Sequence, residues 1–183
     1  MYEKDAAITG WINGWAGLSP AADNLMIWIS TIGVPLMVLA VAVQWWLPRR
    51  DLPTRHVLVA SGLTFLIGLG INQLVLLFIQ RARPYEAHVS RLIIEPTADF
   101  SFPSDHATAS FAIAAAFLLL GQRGRGAAFL AAAIIISFSR VYLGTHYVSD
   151  IIGGAATAVM AALLVRAAYR ENTALDRFVT GIL

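Results

Sequence analysis

The sequence has no cysteine and few charged residues. Only 13% of its 183 residues are Asp, Glu, Lys or Arg, whereas about 25% is typical of a soluble domain. The absence of cysteine excludes thiol catalysis, disulfide bonds and cysteine-bound metal sites. The N-terminus carries Glu3, Lys4 and Asp5 and lacks the basic region and compact apolar core of a signal peptide, so we expect no cleaved leader.

Apolar residues are abundant and lie in long runs. They make up 58% of the chain, which predicts an integral membrane protein of one domain, residues 1–183. Residues 6–18 are too short to span a bilayer and carry Trp11 and Trp15 on one face, which predicts an interfacial helix. We therefore expect an all-α helical bundle over 25–168, with a long polar loop at 85–103 and five spans at about 25–47, 56–79, 105–121, 127–142 and 150–168.

Two further patterns describe the bundle. Gly154, Ala158 and Ala162 recur every four residues, and such small residues let a neighbouring helix approach closely. Of the 13 Lys and Arg residues, eight are expected on the side of the membrane opposite the 85–103 loop, and five on the same side as the loop: Lys4, Arg81, Arg83, Arg91 and Arg140. Because the side richer in Lys and Arg is usually cytoplasmic, we expect this loop to face outward.

The segment Pro103-Ser104-Asp105-His106 predicts the start of a helix. Ser104 is a good N-cap, and the unpaired N–H groups and positive dipole of the first turn favour a bound phosphate. His106 adds a group that can give or take a proton near neutral pH. Alternatively, Ser104 only caps the helix, Asp105 only complements the dipole and His106 lies at the membrane interface; the segment alone leaves both interpretations open.

Three polar clusters are expected on the same side of the membrane. Arginines near the ends of membrane helices are costly unless they are paired or face a polar cavity, so two arginines and two histidines together indicate a bound anion. Phosphoryl transfer fits, because it is catalysed chiefly by positioning and by electrostatic stabilisation. One neutral imidazole could attack phosphorus while the other, protonated, protonates the leaving oxygen. The clusters are Arg81 with Arg83, Ser104 to His106, and Arg140 with His146 and Asp150.

The spacing of His146 and Asp150 suggests a direct contact. The two residues are four apart, so in a helical turn the carboxylate would hold the far nitrogen of the imidazole. That contact would fix the tautomer and make the imidazole more nucleophilic.

Together these residues resemble the three-part signature of the type 2 phosphatidic acid phosphatase (PAP2) superfamily. The parts are Arg83-Pro84, Pro103 to His106, and Ser139-Arg140-x5-His146-x3-Asp150, of which the third matches in full. The resemblance covers about 25–168 and implies a helical membrane phosphatase that needs neither a metal nor another cofactor. By it, His146 would be the nucleophile that forms a phosphohistidine, Asp150 its orienting partner and His106 the general acid. Phosphate would be bound by Arg83, Ser104 and Arg140, with Asp105 beside them.

Two positions depart from the usual pattern. The lysine expected seven residues before Arg83 is Leu76, so a phosphate contact is missing or is supplied by Arg81 or Gln80. The alternative for Arg81 is an interfacial side chain that faces outward. Asp105 replaces a frequent glycine, as in the undecaprenyl pyrophosphate phosphatases that confer bacitracin tolerance. It could accept a proton from a diphosphate, orient an arginine, or only complement the dipole.

We therefore expect hydrolysis of undecaprenyl pyrophosphate to undecaprenyl phosphate, in a bacterial inner membrane, by a multi-pass protein whose site faces the periplasm or the outside. The alternatives are a phosphatidylglycerophosphate or phosphatidate phosphatase and a lipid A phosphatase. A non-catalytic lipid-binding module is favoured by Leu76 alone, and a transporter would need an inverted repeat, which the sequence does not show. The expected partners are the lipid substrate and membrane lipids, without nucleic acid; the oligomeric state is left open.

The remaining polar residues are given simpler roles. Asn72 lies within the second span and is expected to hydrogen-bond between helices. His56 is expected to be solvated on the opposite side of the membrane. Asp99, like the other acidic residues of the 85–103 loop, is expected to be solvated rather than to gate the site.

Overall fold

The structure, a computed structural model, describes residues 2–46 and 52–182, and most of these residues are helical. These residues form seven α-helices and no strand, which confirms the predicted all-α class. Arg49 and Arg50, two of the eight Lys and Arg residues counted on the side opposite the 85–103 loop, lie outside the described residues. The helices are α1 Tyr2–Asn13, α2 Pro20–Val43, α3 Leu52–Leu76, α4 Asp105–Leu119, α5 Arg123–Tyr142, α6 Val148–Ala168 and α7 Ala174–Thr180, with a 3-10 turn at Gln44–Trp46.

Four helices, α2, α3, α5 and α6, are long and apolar enough to cross a membrane. The other predicted span, at 105–121, is the shorter helix α4, which lies at the centre of the bundle against α3, α5 and α6. Most of its buried residues are alanine or other small residues, and these let three neighbours pack closely around it. The predicted phosphate-binding helix end is thus held by the core of the fold.

The small-residue stripe on α6 is the surface that receives α4. Gly154, Ala158 and Ala162 are all buried. A Cβ atom on Gly154 would lie 2.7 Å from the Ser104 carbonyl oxygen and 2.9 Å from the Ala107 Cβ, so only glycine allows this approach. This contact fixes the start of α4 against the first turn of α6, where two motif segments meet.

The N-terminal helix α1 is tied to the loops at one end of the bundle. Trp11 is exposed, as expected of an interfacial helix, whereas Asn13 is buried. The Asn13 amide donates to the backbone carbonyls of Arg91 and Tyr142 and accepts from the Arg91 N–H. The helix predicted at 6–18 therefore begins and ends earlier, and polar contacts hold it to the protein.

The C-terminal tail forms helix α7 and covers His56. The prediction of a solvated His56 is wrong, since the side chain is 4% exposed. Its Nδ1 lies 2.8 Å from Asp176 Oδ1, and its ring stacks on Tyr169 with centroids 4.7 Å apart. The sequence pattern gave no sign of this contact because Asp176 belongs to a short polar segment far along the chain.

Candidate active site

A polar cavity of about 130 Å³ lies at the end of the bundle where α4 begins. Five of the seven predicted site residues line it, while Ser104 and Asp150 lie behind its wall. Four more lining residues come from the irregular segment before α4. The lining residues are Leu76, Arg83, Thr97, Asp99, Phe100, Pro103, Asp105, His106, Arg140 and His146.

The start of α4 brings Asp105 and His106 to the cavity. Ser104 is fully buried and caps the helix, its Oγ accepting from the Ala107 N–H at 3.5 Å. The Ser104 N–H donates to the Asp150 carbonyl oxygen at 3.1 Å, so α4 and α6 are joined at their first residues. The positive end of the α4 dipole is therefore directed at the cavity.

The geometry around His146 assigns its tautomer. Its Nδ1 lies 2.8 Å from the Ser101 carbonyl oxygen, which can only accept, so Nδ1 carries the proton. Burial, reinforced by the charges of Arg140 and Arg83, lowers the pKa of His146 against the opposing effect of Asp150. The imidazole is therefore neutral near neutral pH, and its Nε2 lone pair accepts a hydrogen bond from Arg83 Nη1 at 3.3 Å.

Asp150 hydrogen-bonds Ser101 rather than His146. The predicted hydrogen bond is absent, because Asp150 Oδ2 lies 3.6 Å from His146 Nδ1. Instead Asp150 Oδ2 accepts from Ser101 Oγ at 2.5 Å and from the Tyr147 N–H at 2.8 Å. Ser101 thus holds the carboxylate with its hydroxyl and the imidazole with its carbonyl. Sequence reasoning missed it, since nothing in its spacing distinguishes it from other loop serines.

Arg140 offers an unused donor at the cavity. Its guanidinium is buried, and Nη1 donates to Ser30 Oγ on α2 at 2.6 Å. Its Nε is buried and has no hydrogen-bond partner within residues 2–46 and 52–182. A buried charged donor without a partner is costly, and an anion bound in the cavity would satisfy it.

Arg83 is occupied by a carboxylate of its own chain. Its Nη2 lies 2.7 Å from Asp99 Oδ1, its Nε donates to the Asp99 carbonyl oxygen and its Nη1 donates to the Thr145 carbonyl oxygen. Burial raises the pKa of Asp99, but the charge and hydrogen bonds of Arg83 and the hydrogen bond from Thr97 lower it further, so the carboxylate is ionised. Asp99 is exposed, as predicted, with 58% of its side chain accessible, and it also forms an ion pair with Arg83.

The missing lysine has no substitute in the cavity. Leu76 itself lines the wall, whereas neither Arg81 nor Gln80 is among the described residues that do. Arg81 instead donates to Asp150 Oδ1 and Asp5 Oδ2, each at 2.7 Å. It therefore neither replaces the lysine nor faces outward, and both predicted alternatives for it are wrong.

Asp105 is held from outside the cavity by α3. Asn72 is fully buried, and its Nδ2 donates to Asp105 Oδ1 at 2.7 Å and to Thr108 Oγ1 at 2.8 Å. The prediction that Asn72 hydrogen-bonds between helices is confirmed, and one of its partners faces the cavity.

In the part of the chain that the structure describes, no group of three or more His, Asp or Glu side chains could hold a metal ion.

Comparison with protein families identifies the chain. The model of the PAP2 superfamily matches residues 57–174, which include every residue that lines the cavity. The chain belongs to the PAP2 superfamily. This PAP2 chain is 33% identical over 156 residues to the undecaprenyl-diphosphatase BcrC of Bacillus subtilis, covering 84% of this chain and 78% of that protein.

Two solved structures share the PAP2 fold. A transmembrane PAP2-type phosphatidylglycerolphosphate phosphatase from Bacillus subtilis superposes with a TM-score of 0.65 and 22% identity, covering 94% of this chain and 88% of the other. LpxE of Aquifex aeolicus superposes with a TM-score of 0.64 and 18% identity, covering 87% of this chain and 92% of the other. The PAP2 chain is a multi-pass membrane protein and a lipid phosphatase.

Proposed function

We propose that the protein hydrolyses undecaprenyl pyrophosphate to undecaprenyl phosphate and inorganic phosphate, without a metal ion. The observation that carries the chemistry is the cavity of about 130 Å³, which is lined by a neutral His146 and by Arg140, whose Nε is unpaired within the described residues. The choice of substrate is supported by the similarity to BcrC and by Asp105. A carboxylate repels a fully ionised phosphate, but it can accept a proton from a partly protonated diphosphate.

The substrate's terminal phosphoryl group binds first. Arg140 donates to it through Nε, and the start of α4 adds its positive dipole. Arg83 can bind it through two parallel hydrogen bonds only after releasing Asp99, so substrate binding exchanges one anion for another.

His146 then transfers the phosphoryl group in two steps. Its Nε2 lone pair forms a bond to phosphorus as the bond to the bridging oxygen breaks, and the bridging oxygen leaves on undecaprenyl phosphate with a proton from His106. The Ser101 carbonyl stabilises the developing positive charge through Nδ1–H. In the second step, water gives a proton to His106 and attacks phosphorus. The bond between phosphorus and Nε2 then breaks, and inorganic phosphate is released.

The proposed location is a bacterial inner membrane, with the cavity facing the periplasm or the outside. Its support is the distribution of the 13 Lys and Arg residues, which are fewer on the cavity side. In this orientation the enzyme acts on lipid diphosphates at the outer surface of the membrane.

The substrate is tested by phosphate release from the purified protein in detergent with EDTA. Undecaprenyl pyrophosphate, phosphatidylglycerophosphate and phosphatidate are compared by kcat/KM at equal detergent-to-lipid ratios. We expect the diphosphate to be preferred and EDTA to have no effect, because the proposed charge stabilisation comes from arginines. Preference for a glycerolipid would overturn the substrate, and activity that requires added Mg²⁺ would overturn the metal-free mechanism.

Asp99→Asn is expected to tighten anion binding. Because Arg83 no longer has to release a charged partner, KM and the inhibition constant of inorganic phosphate should fall about two- to fivefold, the range expected for a pair with one exposed member. Steady-state kinetics with phosphate as a competitor measure both constants. Glu95→Gln, which removes the same charge from an exposed position in the same loop, is the control and should change neither. A higher KM in Asp99→Asn would instead mean that Asp99 aligns Arg83 for binding.

A further inference from the structure

Arg81 connects the candidate catalytic carboxylate to the N-terminal helix. Its Nη1 lies 2.7 Å from Asp150 Oδ1, and its Nη2 lies 2.7 Å from Asp5 Oδ2. The guanidinium lies over the Tyr147 ring, 3.7 Å from the centroid. Asp5 also accepts hydrogen bonds from the backbone N–H and the hydroxyl of Ser149. Arg81 is therefore shared by two carboxylates, and each carboxylate also accepts hydrogen bonds from other groups: Asp5 from Ser149, and Asp150 from Ser101 and Tyr147.

This cluster places one positive charge between two carboxylates, one of which is fully buried. Asp150 is 0% exposed, and a carboxylate so placed needs a positive partner. Burial raises the pKa of Asp5, but hydrogen bonds from Arg81 and Ser149 lower it further, so Asp5 is ionised. Arg81 thus meets two negative charges at once and cannot give both of its terminal nitrogens to Asp150.

We propose that Asp5 and Arg81 are positioning residues for the reaction, acting through Asp150 and Ser101 on His146. Asp5 holds Nη2 of Arg81, which limits Arg81 to a single contact with Oδ1 of Asp150. Oδ2 then stays directed at the Ser101 hydroxyl, and the Ser101 carbonyl holds Nδ1–H of His146. The inference rests on the proposed role of His146.

The proposal gives helix α1 a part in positioning the catalytic residues. Asp5 lies outside residues 57–174, the part of the chain that the family model matches. Without Asp5, Arg81 can turn and bind Asp150 through both terminal nitrogens, as arginine–carboxylate pairs prefer. That rotation would draw Oδ2 away from Ser101 and loosen the imidazole, while the phosphate-binding arginines Arg83 and Arg140 keep their own contacts.

Asp5→Asn is therefore expected to lower kcat about tenfold, the scale on which outer hydrogen-bond partners of a functional group act, and to leave KM within about twofold. Asp5→Glu should recover part of the loss, because it restores the charge. Arg81→Gln should lose more than Asp5→Asn, and the double variant should be no worse than Arg81→Gln alone, since both changes act through one contact chain.

The control lies on the same helix. Thr9 is buried and its Oγ1 accepts from the Val148 N–H, so Thr9→Val weakens the docking of α1 on α6 without touching Arg81. It should leave kcat within about twofold. Equal losses in Thr9→Val and Asp5→Asn, an unchanged kcat in Asp5→Asn, or multiplying losses in the double variant would each overturn the proposal. Each variant is first shown to be monodisperse in detergent.

The readout is independent of the lipid assignment. All variants are assayed on undecaprenyl pyrophosphate and on p-nitrophenyl phosphate, and the ratio of variant to wild-type kcat is compared. Positioning of His146 predicts a reduced ratio on whichever substrate is accepted. A reduced ratio together with a poor rate on the diphosphate would overturn the proposed substrate and keep the positioning role.

Discussion

Replacing His146 by alanine is expected to lower phosphate release from every accepted substrate by about a thousandfold or more, the scale seen when a covalent nucleophile is removed. The hydrogen-bond partners of His146 cannot replace it, because Ser101 is buried and bonded to Asp150 and Arg83 carries no nucleophilic lone pair. The measurement is kcat in detergent, with wild-type protein prepared in parallel.

The same variant tests the covalent intermediate. Substrate labelled with ³²P on the terminal phosphate should transfer label to wild-type protein quenched in base, and acid should remove it, as is usual for a phosphorus–nitrogen bond. His146→Ala should take up no label. His88→Asn is the matched control: His88 is exposed and has a φ of 56°, a conformation that asparagine tolerates. Label retained in His146→Ala would overturn the assignment of the nucleophile.

The convergence of the motif residues could be predicted because helices alternate in direction through a membrane. The end of α3, the start of α4, the end of α5 and the start of α6 must share one side of the bundle, and the structure places five motif side chains around one cavity. This argument needs only apolar segments and their order. It does not depend on the path of any loop.

The contacts behind the cavity could not be predicted, because they depend on that path. The expected bond between His146 and Asp150 assumed a helical turn, but α6 begins at Val148, so His146 precedes the helix and its ring turns to Ser101. Asp99 lies in an irregular segment without periodicity. Its place on Arg83 follows from how that segment folds over the start of α4.

The polar contacts of the N-terminal helix α1 could not be predicted from the sequence either. Its exposed tryptophan predicted contact with the membrane, and exposure of Trp11 agrees with that expectation. Its polar residues carry no periodic pattern, yet Asp5 and Asn13 bond to groups more than 70 residues away. A sequence pattern indicates which face is apolar, whereas the partner of a single buried polar group is set by tertiary structure.

His106→Ala is expected to have an effect that depends on the leaving group. A general acid contributes about 10²- to 10⁴-fold when the departing oxygen needs a proton. The alkoxide that leaves phosphatidate is strongly basic, so the variant should lose a factor in that range on this lipid. The groups that leave undecaprenyl pyrophosphate and p-nitrophenyl phosphate are a phosphate monoester and a phenolate, which are weakly basic, so the loss on them should be smaller by at least about tenfold.

The comparison must isolate the first chemical step, because His106 is also the proposed base for water in the second step and that contribution is common to all substrates. Release of the leaving group is therefore followed in a single turnover, with protein in excess, before water attacks the phosphohistidine. His146→Ala is the control, since loss of the nucleophile should affect every substrate alike. Equal losses on all three substrates in His106→Ala would mean that His106 organises the cavity without giving a proton to the leaving oxygen. A loss that grows with the basicity of the leaving group would show that His106 gives its proton to the leaving oxygen. Because a diphosphate needs this proton least, its hydrolysis can tolerate the negatively charged Asp105 beside the substrate.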